Sequence, residues 1–275
     1  MLVHSRMGRW AARALFLVLF LPLFALPLLV IVAASFSAHW SGAFPTGFTT
    51  GHYAAATRGE SLQALTTSLV TAVGASLLAL ATGTWAALAA ASLKRGGGRN
   101  PRLSRLLGKA LDTLFMLPVA VPSVVVGLAV LVAFSKPPMI LNGTRWIVVL
   151  AHAVLVTAFA HQSVSAAVAR LDPAYEQAAA SLGARPSYVL WKVKLPLLLP
   201  SLTAAAGLCF ALSMGELSAT MMLYPPDWTP LPVRIYAATD RGSAFTGAAL
   251  AVVLMAATLL VLLAVSRIRT RASYR

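Results

Sequence analysis

The chain has 275 residues, of which 59% are hydrophobic and 11% charged, with a mean hydropathy of +0.81; soluble domains carry about a quarter charged residues, so an ordinary soluble fold is excluded. The formal net charge of +15 invites a nucleic-acid reading, but the basic residues flank apolar runs instead of clustering on one face, the pattern of membrane topology signals. The single cysteine, Cys209, lies inside an apolar run, which excludes an intramolecular disulfide and suggests no thiol metal site.

Six runs reach the ~20 residues needed to cross a ~30 Å hydrocarbon core. They are approximately 14–35, 62–92, 111–134, 146–168, 200–223 and 244–266. The first follows Arg6, Arg9 and Arg13 and has the flanks of a signal peptide. It exceeds the roughly 7 to 15 apolar residues of such segments, so a retained span is expected. Backbone groups in lipid must bond internally and the runs are too long for barrel strands, so the expected fold is all-α: one polytopic domain, 1–275, of six transmembrane helices.

Seventeen of the 22 Lys and Arg residues fall at the two termini, between spans two and three, and between spans four and five. The other side carries five: Arg58, Lys136, Arg145, Arg234 and Arg241. The positive-inside rule then predicts cytoplasmic termini and a cytoplasmic 170–200 insert.

In span three, Pro118 and Pro122 predict a bend, as a packing kink or a moving gate, since each removes a helix hydrogen bond. Span four carries His152 and His161; nine residues at ~100° each place them about 180° apart, so they cannot share a metal from that helix. No His-Glu-x-x-His pattern occurs, and polar packing or proximity to the headgroups is the expected role of both. Between spans four and five, Asp172 suits a helix N-cap, Pro173 a first helical position, Ala178 to Ala180 favour helix, and Gly183 suits the left-handed turn that ends it. A helix of about ten residues is predicted, and a second begins at Pro186 after Arg185, a poor cap.

In span five, Glu216 is the outstanding ionisable residue. A charge near the bilayer centre costs roughly 3 kcal/mol, so it is expected to face the bundle interior, a water-filled path or a partner. It either binds an ammonium group or gates a pathway, or accepts hydrogen bonds from Ser213, Thr220 or a neighbouring helix. Ser213, Glu216 and Thr220 are therefore the candidate pathway or gating residues. Gly74, Gly83, Gly127 and Gly207 permit close helix contact. Beyond span five, Tyr224-Pro225-Pro226-Asp227-Trp228 with Pro230 and Pro232 predicts a shaped loop through Tyr236 to Asp240-Arg241-Gly242.

No phosphate-binding loop is present: Ala110 follows Gly108-Lys109 where Ser or Thr is required, and Leu103 replaces the upstream glycine. Gly96-Gly97-Gly98 has no preceding strand and reads as a flexible loop. No catalytic residue, metal site or bound cofactor is expected.

The insert itself carries a pattern. Gln177-Ala178-Ala179, Gly183, Val193 and Leu195-Pro196 resemble the loop of permease subunits of binding-protein-dependent, ATP-driven importers: E-A-A, three residues, Gly, nine residues, Ile, any residue, Leu-Pro. Gln177 stands where the family has Glu, with Glu176 beside it to supply a charge, and Val193 stands for Ile. The resemblance implies that a helix-turn-helix at Glu176, Gln177, Ala178, Ala179, Gly183, Leu195 and Pro196 couples to an ATPase subunit. It further implies an ATPase dimer binding ATP-Mg, a second permease, identical or homologous, a periplasmic solute-binding protein, and a place among the lipids of the bacterial inner membrane. Ser213-Met214-Gly215-Glu216-Leu217-Ser218-Ala219-Thr220, Leu231-Pro232-Val233, Thr239-Asp240-Arg241-Gly242 and Asn142-Gly143-Thr144-Arg145-Trp146 resemble permeases assigned to 2-aminoethylphosphonate import, over nearly the whole chain. Importers of iron, polyamines, thiamine, sulfate or molybdate share the scaffold, and a membrane scaffold that recruits a soluble partner is the alternative outside transport.

Overall fold

The computed structural model describes residues 6–42, 45–95 and 100–272, with side chains placed through residue 267; the Gly96-Gly97-Gly98 loop lies outside the described residues. In chain order the elements are α1 (Arg6–Phe20), a π-helical turn (Leu21–Ala25), α2 (Leu26–Ser35), strands β1 (Ser37–His39) and β2 (Thr46–Phe48), α3 (Gly51–Ala56), α4 (Gly59–Lys94), α5 (Pro101–Ala120), α6 (Ser123–Ala133), α7 (Arg145–Arg170), α8 (Ala174–Ser181), α9 (Pro186–Val189), a second π-helical turn (Leu190–Lys194), α10 (Leu195–Met214), α11 (Thr220–Leu223), α12 (Leu231–Asp240) and α13 (Ala244–Ala272). Among the described residues, five continuous helices are long and apolar enough to cross a membrane, and the bent pair α5 and α6 makes a sixth candidate.

Two compact units share these helices. The smaller contains Met1–Gln63 and Arg234–Met255. Its first candidate span, Arg6–Ser35, buries none of its most apolar window, so its Leu and Phe side chains are available to lipid or another subunit. At its end, Ser35 Oγ donates to the Val32 carbonyl and pairs with Tyr53 Oη at 2.6 Å, and Phe36 stacks on Phe48. The hairpin pairs Ser37 with Phe48 and His39 with Thr46. The fold is all-α as expected and the hairpin is a small addition to it: two strands of three residues are too short to show a period-2 pattern in the sequence.

The larger unit, Ala64–Val233 with Ala256–Arg275, is organised around α7. Ile147, Val148 and Ala151 pack with Val126, Val130 and Leu223; Val156 and Ala160 with Ala79 and Cys209; Val164 and Val168 with Ala87 and Leu198. Lipid is as apolar as these side chains, so close van der Waals packing of small residues holds the helices together. At Gly83, an added Cβ would lie 2.9 Å from the His161 backbone nitrogen, so α4 touches the backbone of α7 there. Gly108 sits equally close to the Ala90 carbonyl oxygen, 2.9 Å from its would-be Cβ. It is a helix-crossing glycine within α5.

Prolines explain the irregularities. Each π-helical turn directly precedes a Leu-Pro pair, Leu26-Pro27 and Leu195-Pro196, with closing hydrogen bonds from Leu26 to the Leu21 carbonyl and from Leu195 to the Leu190 carbonyl. Proline cannot bond the carbonyl four residues back and its ring pushes that carbonyl away, so the helix widens by one residue. Span three differs from one kinked helix. Pro118 is accommodated inside α5, whereas Val121, just before Pro122, is extended at φ −107° and ψ 131°, and α6 departs at 108°. A residue preceding proline avoids helical geometry. Span five also departs from its predicted 200–223: it begins upstream as one helical stretch, Pro186–Met214, and breaks before α11. The expected loop from Leu231 to Asp240 is instead helix α12, because Pro232 occupies the first turn, where its missing N–H has no helical partner to lose.

Candidate functional site

The insert folds by local rules. Asp172 Oδ1 accepts the Ala174 N–H at 2.9 Å, which caps α8; the helix starts at Ala174, one residue beyond the expected Pro173, and runs eight residues. At its other end the Ala184 N–H reaches the Ala179 carbonyl at 3.0 Å and the Gly183 N–H the Ala180 carbonyl at 2.9 Å, with Gly183 at φ +78°. This is a Schellman turn, which favours glycine at that position. Gln177, Ala178 and Gly183 are exposed, Ala179 is half-buried, and Leu182 at the tip is 89% exposed. Ala179, Leu182, Gly183, Arg185, Tyr188 and Trp191 line an open groove of about 760 Å³. Leu195 is half-buried and Pro196 exposed at the start of α10.

Glu176 points the other way. Its Oε1 accepts from Arg95 Nη1 at 2.8 Å and its Oε2 from Lys194 Nζ at 2.9 Å. One carboxylate thus ties α8 to the end of α4 and to the π-helical turn before α10. Burial raises the Glu176 pKa, but the hydrogen bonds and charges of Lys194 and Arg95 outweigh it and hold the carboxyl below its ordinary value.

A second polar cluster surrounds Asp112 of α5, which pairs with Lys94 and lies 3.1 Å from Nε2 of the buried His161. His161 Nδ1 is buried without a hydrogen-bond partner among the described residues.

The break in span five is the third cluster. α10 stops at Met214, and Glu216 turns back so that Oε1 accepts the Ala219 N–H at 3.0 Å and Oε2 the Thr220 N–H at 3.0 Å and the Thr220 hydroxyl at 2.9 Å. Ala219 and Thr220 are fully buried. Each N–H left without a partner would cost about 1–3 kcal/mol, and lipid offers no substitute. His152 of α7 reaches both sides of the break: Nδ1 lies 2.7 Å from Ser213 Oγ and Nε2 2.8 Å from Thr220 Oγ1. Ser213, proposed from the sequence as a donor to Glu216, therefore bonds His152. α6 presses on the same place, since a Cβ on Gly127 would stand 2.8 Å from the Ala219 Cα.

The structure brings Ser213, Glu216 and Thr220 together and adds His152, which the sequence reading left as ordinary polar packing. Asp112, Lys94 and Arg95 were not singled out. The available signal was scarcity: the chain has only seven acidic residues, so each one inside or beside a span marks a polar network. Among the described residues no group of three His, Cys, Asp or Glu is placed to hold a metal ion.

Residues 83–273, which include these three clusters, match the family described as binding-protein-dependent transport system inner membrane component. The chain belongs to this family. It is therefore a multi-span permease of the bacterial inner membrane. The permease is 48% identical, over 98% of both chains, to a Salmonella typhimurium protein named for a 2-aminoethylphosphonate transport system, permease protein PhnV. It is 36% identical over 62% of its length to the molybdenum transport system permease protein ModB of Mycobacterium tuberculosis, 64% of which is covered. In fold it is similar to a chain of a bacterial alginate ABC transporter solved in complex with an alginate-bound periplasmic protein, with a TM-score of 0.72, 17% identity and coverage of 95% and 93%.

Proposed function

We propose that this permease forms half of the translocation pathway of an ATP-driven importer of 2-aminoethylphosphonate. It pairs with a second permease, identical or homologous, and receives solute from a periplasmic binding protein. Two ATPase subunits, which bind ATP-Mg, grip the insert. The 17-to-5 distribution of Lys and Arg supports cytoplasmic termini and a cytoplasmic insert.

One observation carries the coupling role. The exposed turn at Leu182 and Gly183 leads into a helical stretch, Pro186–Met214, that ends at the Glu216 break, and Glu176 clamps α8 to that stretch and to α4. A push on the turn is delivered along this one helical stretch to the place where the span is interrupted. Closure of the ATPases would move the turn and bias a two-state bundle between inward-facing and outward-facing arrangements. Both states belong to the bundle, and ATP supplies the bias.

The solute assignment rests on 48% identity along nearly the full length of PhnV. ATP hydrolysis by the assembled complex should rise when binding protein loaded with 2-aminoethylphosphonate is added. Stimulation by a molybdate-loaded protein alone would reassign the solute. A chain that recruits ATPase but responds to no loaded binding protein would be a scaffold.

A further inference from the structure

His152 is buried in the middle of the larger unit, and the direction of each hydrogen bond around it follows from what its neighbours can donate. The Glu216 carboxylate accepts only, and already takes the N–H groups of Ala219 and Thr220. The Thr220 hydroxyl proton goes to Glu216, whose Oε2 lies at 2.9 Å and whose backbone carbonyl lies at 3.2 Å, and both of these only accept, which leaves Thr220 Oγ1 to accept from His152 Nε2–H at 2.8 Å. In the neutral imidazole Nδ1 must then accept, and the Ser213 hydroxyl donates to it at 2.7 Å. Each proton points toward Glu216, an arrangement in which successive bonds polarise and strengthen one another.

Ser213 closes α10 and Thr220 opens α11, so one imidazole on α7 holds both sides of the break. We infer that His152 is a positioning residue for transport: through Thr220 and Ser213 it locks the fifth-span break, with Glu216 as its internal cap, onto α7. The Glu216 carboxylate in turn serves the backbone of the break. A change in the angle between α10 and α11 that carries Ser213 or Thr220 away from α7 parts one of the two His152 bonds. The inference rests on the permease reading for its importance to transport, but the geometry of the lock is independent of the solute.

The test reads that geometry directly. Membranes are prepared with the chain and its partner subunits, and the single native thiol, Cys209, which is fully buried on α10 four residues before Ser213, serves as the reporter. Maleimide labelling of this parent is compared with the same chain carrying His152→Ala, Thr220→Val or Thr220→Ser. Loss of the lock is expected to raise the labelling rate about tenfold in His152→Ala and Thr220→Val, on the scale of one buried hydrogen bond, whereas Thr220→Ser keeps the hydroxyl and the parent rate. Thr220→Val is nearly isosteric and decides the matter if His152→Ala fails to assemble. A parent rate in Thr220→Val, or an equal rise in Thr220→Ser, overturns the lock. Labelling needs neither the solute nor its binding protein, so a wrong solute assignment would abolish uptake in the parent while leaving this result intact.

Discussion

A carboxylate in a span is read first as a solute or ion ligand, yet Glu216 supplies what the surrounding lipid and protein cannot: acceptors for two buried N–H groups at a helix break. Gln in its place offers one oxygen and turns an N–H₂ group toward the other donor. Glu216→Gln is therefore expected to lower stability by about 1–3 kcal/mol and to cut uptake in complexes of normal assembly; thermal unfolding in detergent and vesicle uptake check the two effects. Glu176 behaves differently, being partly exposed and bound to two cations. Its pKa is depressed in the folded chain, so its contribution is complete above the ordinary glutamate value and is lost as pH falls through the lower folded value. Proteolysis of the insert should accelerate on acidification through that range, and Glu176→Gln should flatten this pH dependence. Glu176 and Glu216 were visible in the sequence as rare acids. Thr220, four residues on, could be named beside Glu216; the partners across the bundle could not, because Ser213 and Thr220 lie 61 and 68 residues from His152, and Arg95 lies 81 from Glu176.

At the scale of elements, proline position mattered more than proline presence. Pro232 in a first turn and Pro118 inside α5 leave helices intact, while Pro122 forces Val121 out of helical geometry and turns the chain by 108°. Reading Pro225, Pro226, Pro230 and Pro232 together as interruptions predicted a loop where α12 stands. The converse error was to extend span five to residue 223 on apolarity alone, since hydropathy carries no sign of a break capped by its own Glu216. Caps and turns obeying local chemistry were legible: Asp172, Gly183 and Pro186 act within four residues of themselves. Gly183→Asp places a side chain at φ +78° and a charge on the exposed turn, so it should strain the turn by about 1 kcal/mol and weaken ATPase recruitment, measured by co-purification, while membrane insertion persists. Gly127→Val would drive a side chain into Ala219, 2.8 Å from the first added atom. Overpacking at such a contact costs about 1–3 kcal/mol, so thermal unfolding should shift downward even though a more apolar residue has entered a membrane helix.

On the scale of the whole molecule, the proposed coupling rests on two features: an exposed turn on a helical rod, and a break in that rod held by α7. The exposed apolar surface of Arg6–Ser35 adds area for lipid or a second permease, consistent with a chain that completes its pathway only in an assembly. The helical membrane class and its apolar runs were readable from composition and hydropathy, because the bilayer restricts what a chain can be. The internal breaks were not, because they depend on side chains meeting across the bundle. The most direct measurement is uptake of 2-aminoethylphosphonate into vesicles that carry this permease with its second permease and ATPase, supplied with the binding protein. Accumulation that requires both internal ATP and the binding protein, and that Glu216→Gln reduces in an assembled complex, is the predicted result. Accumulation indifferent to ATP, or none from a verified complex, would contradict the account.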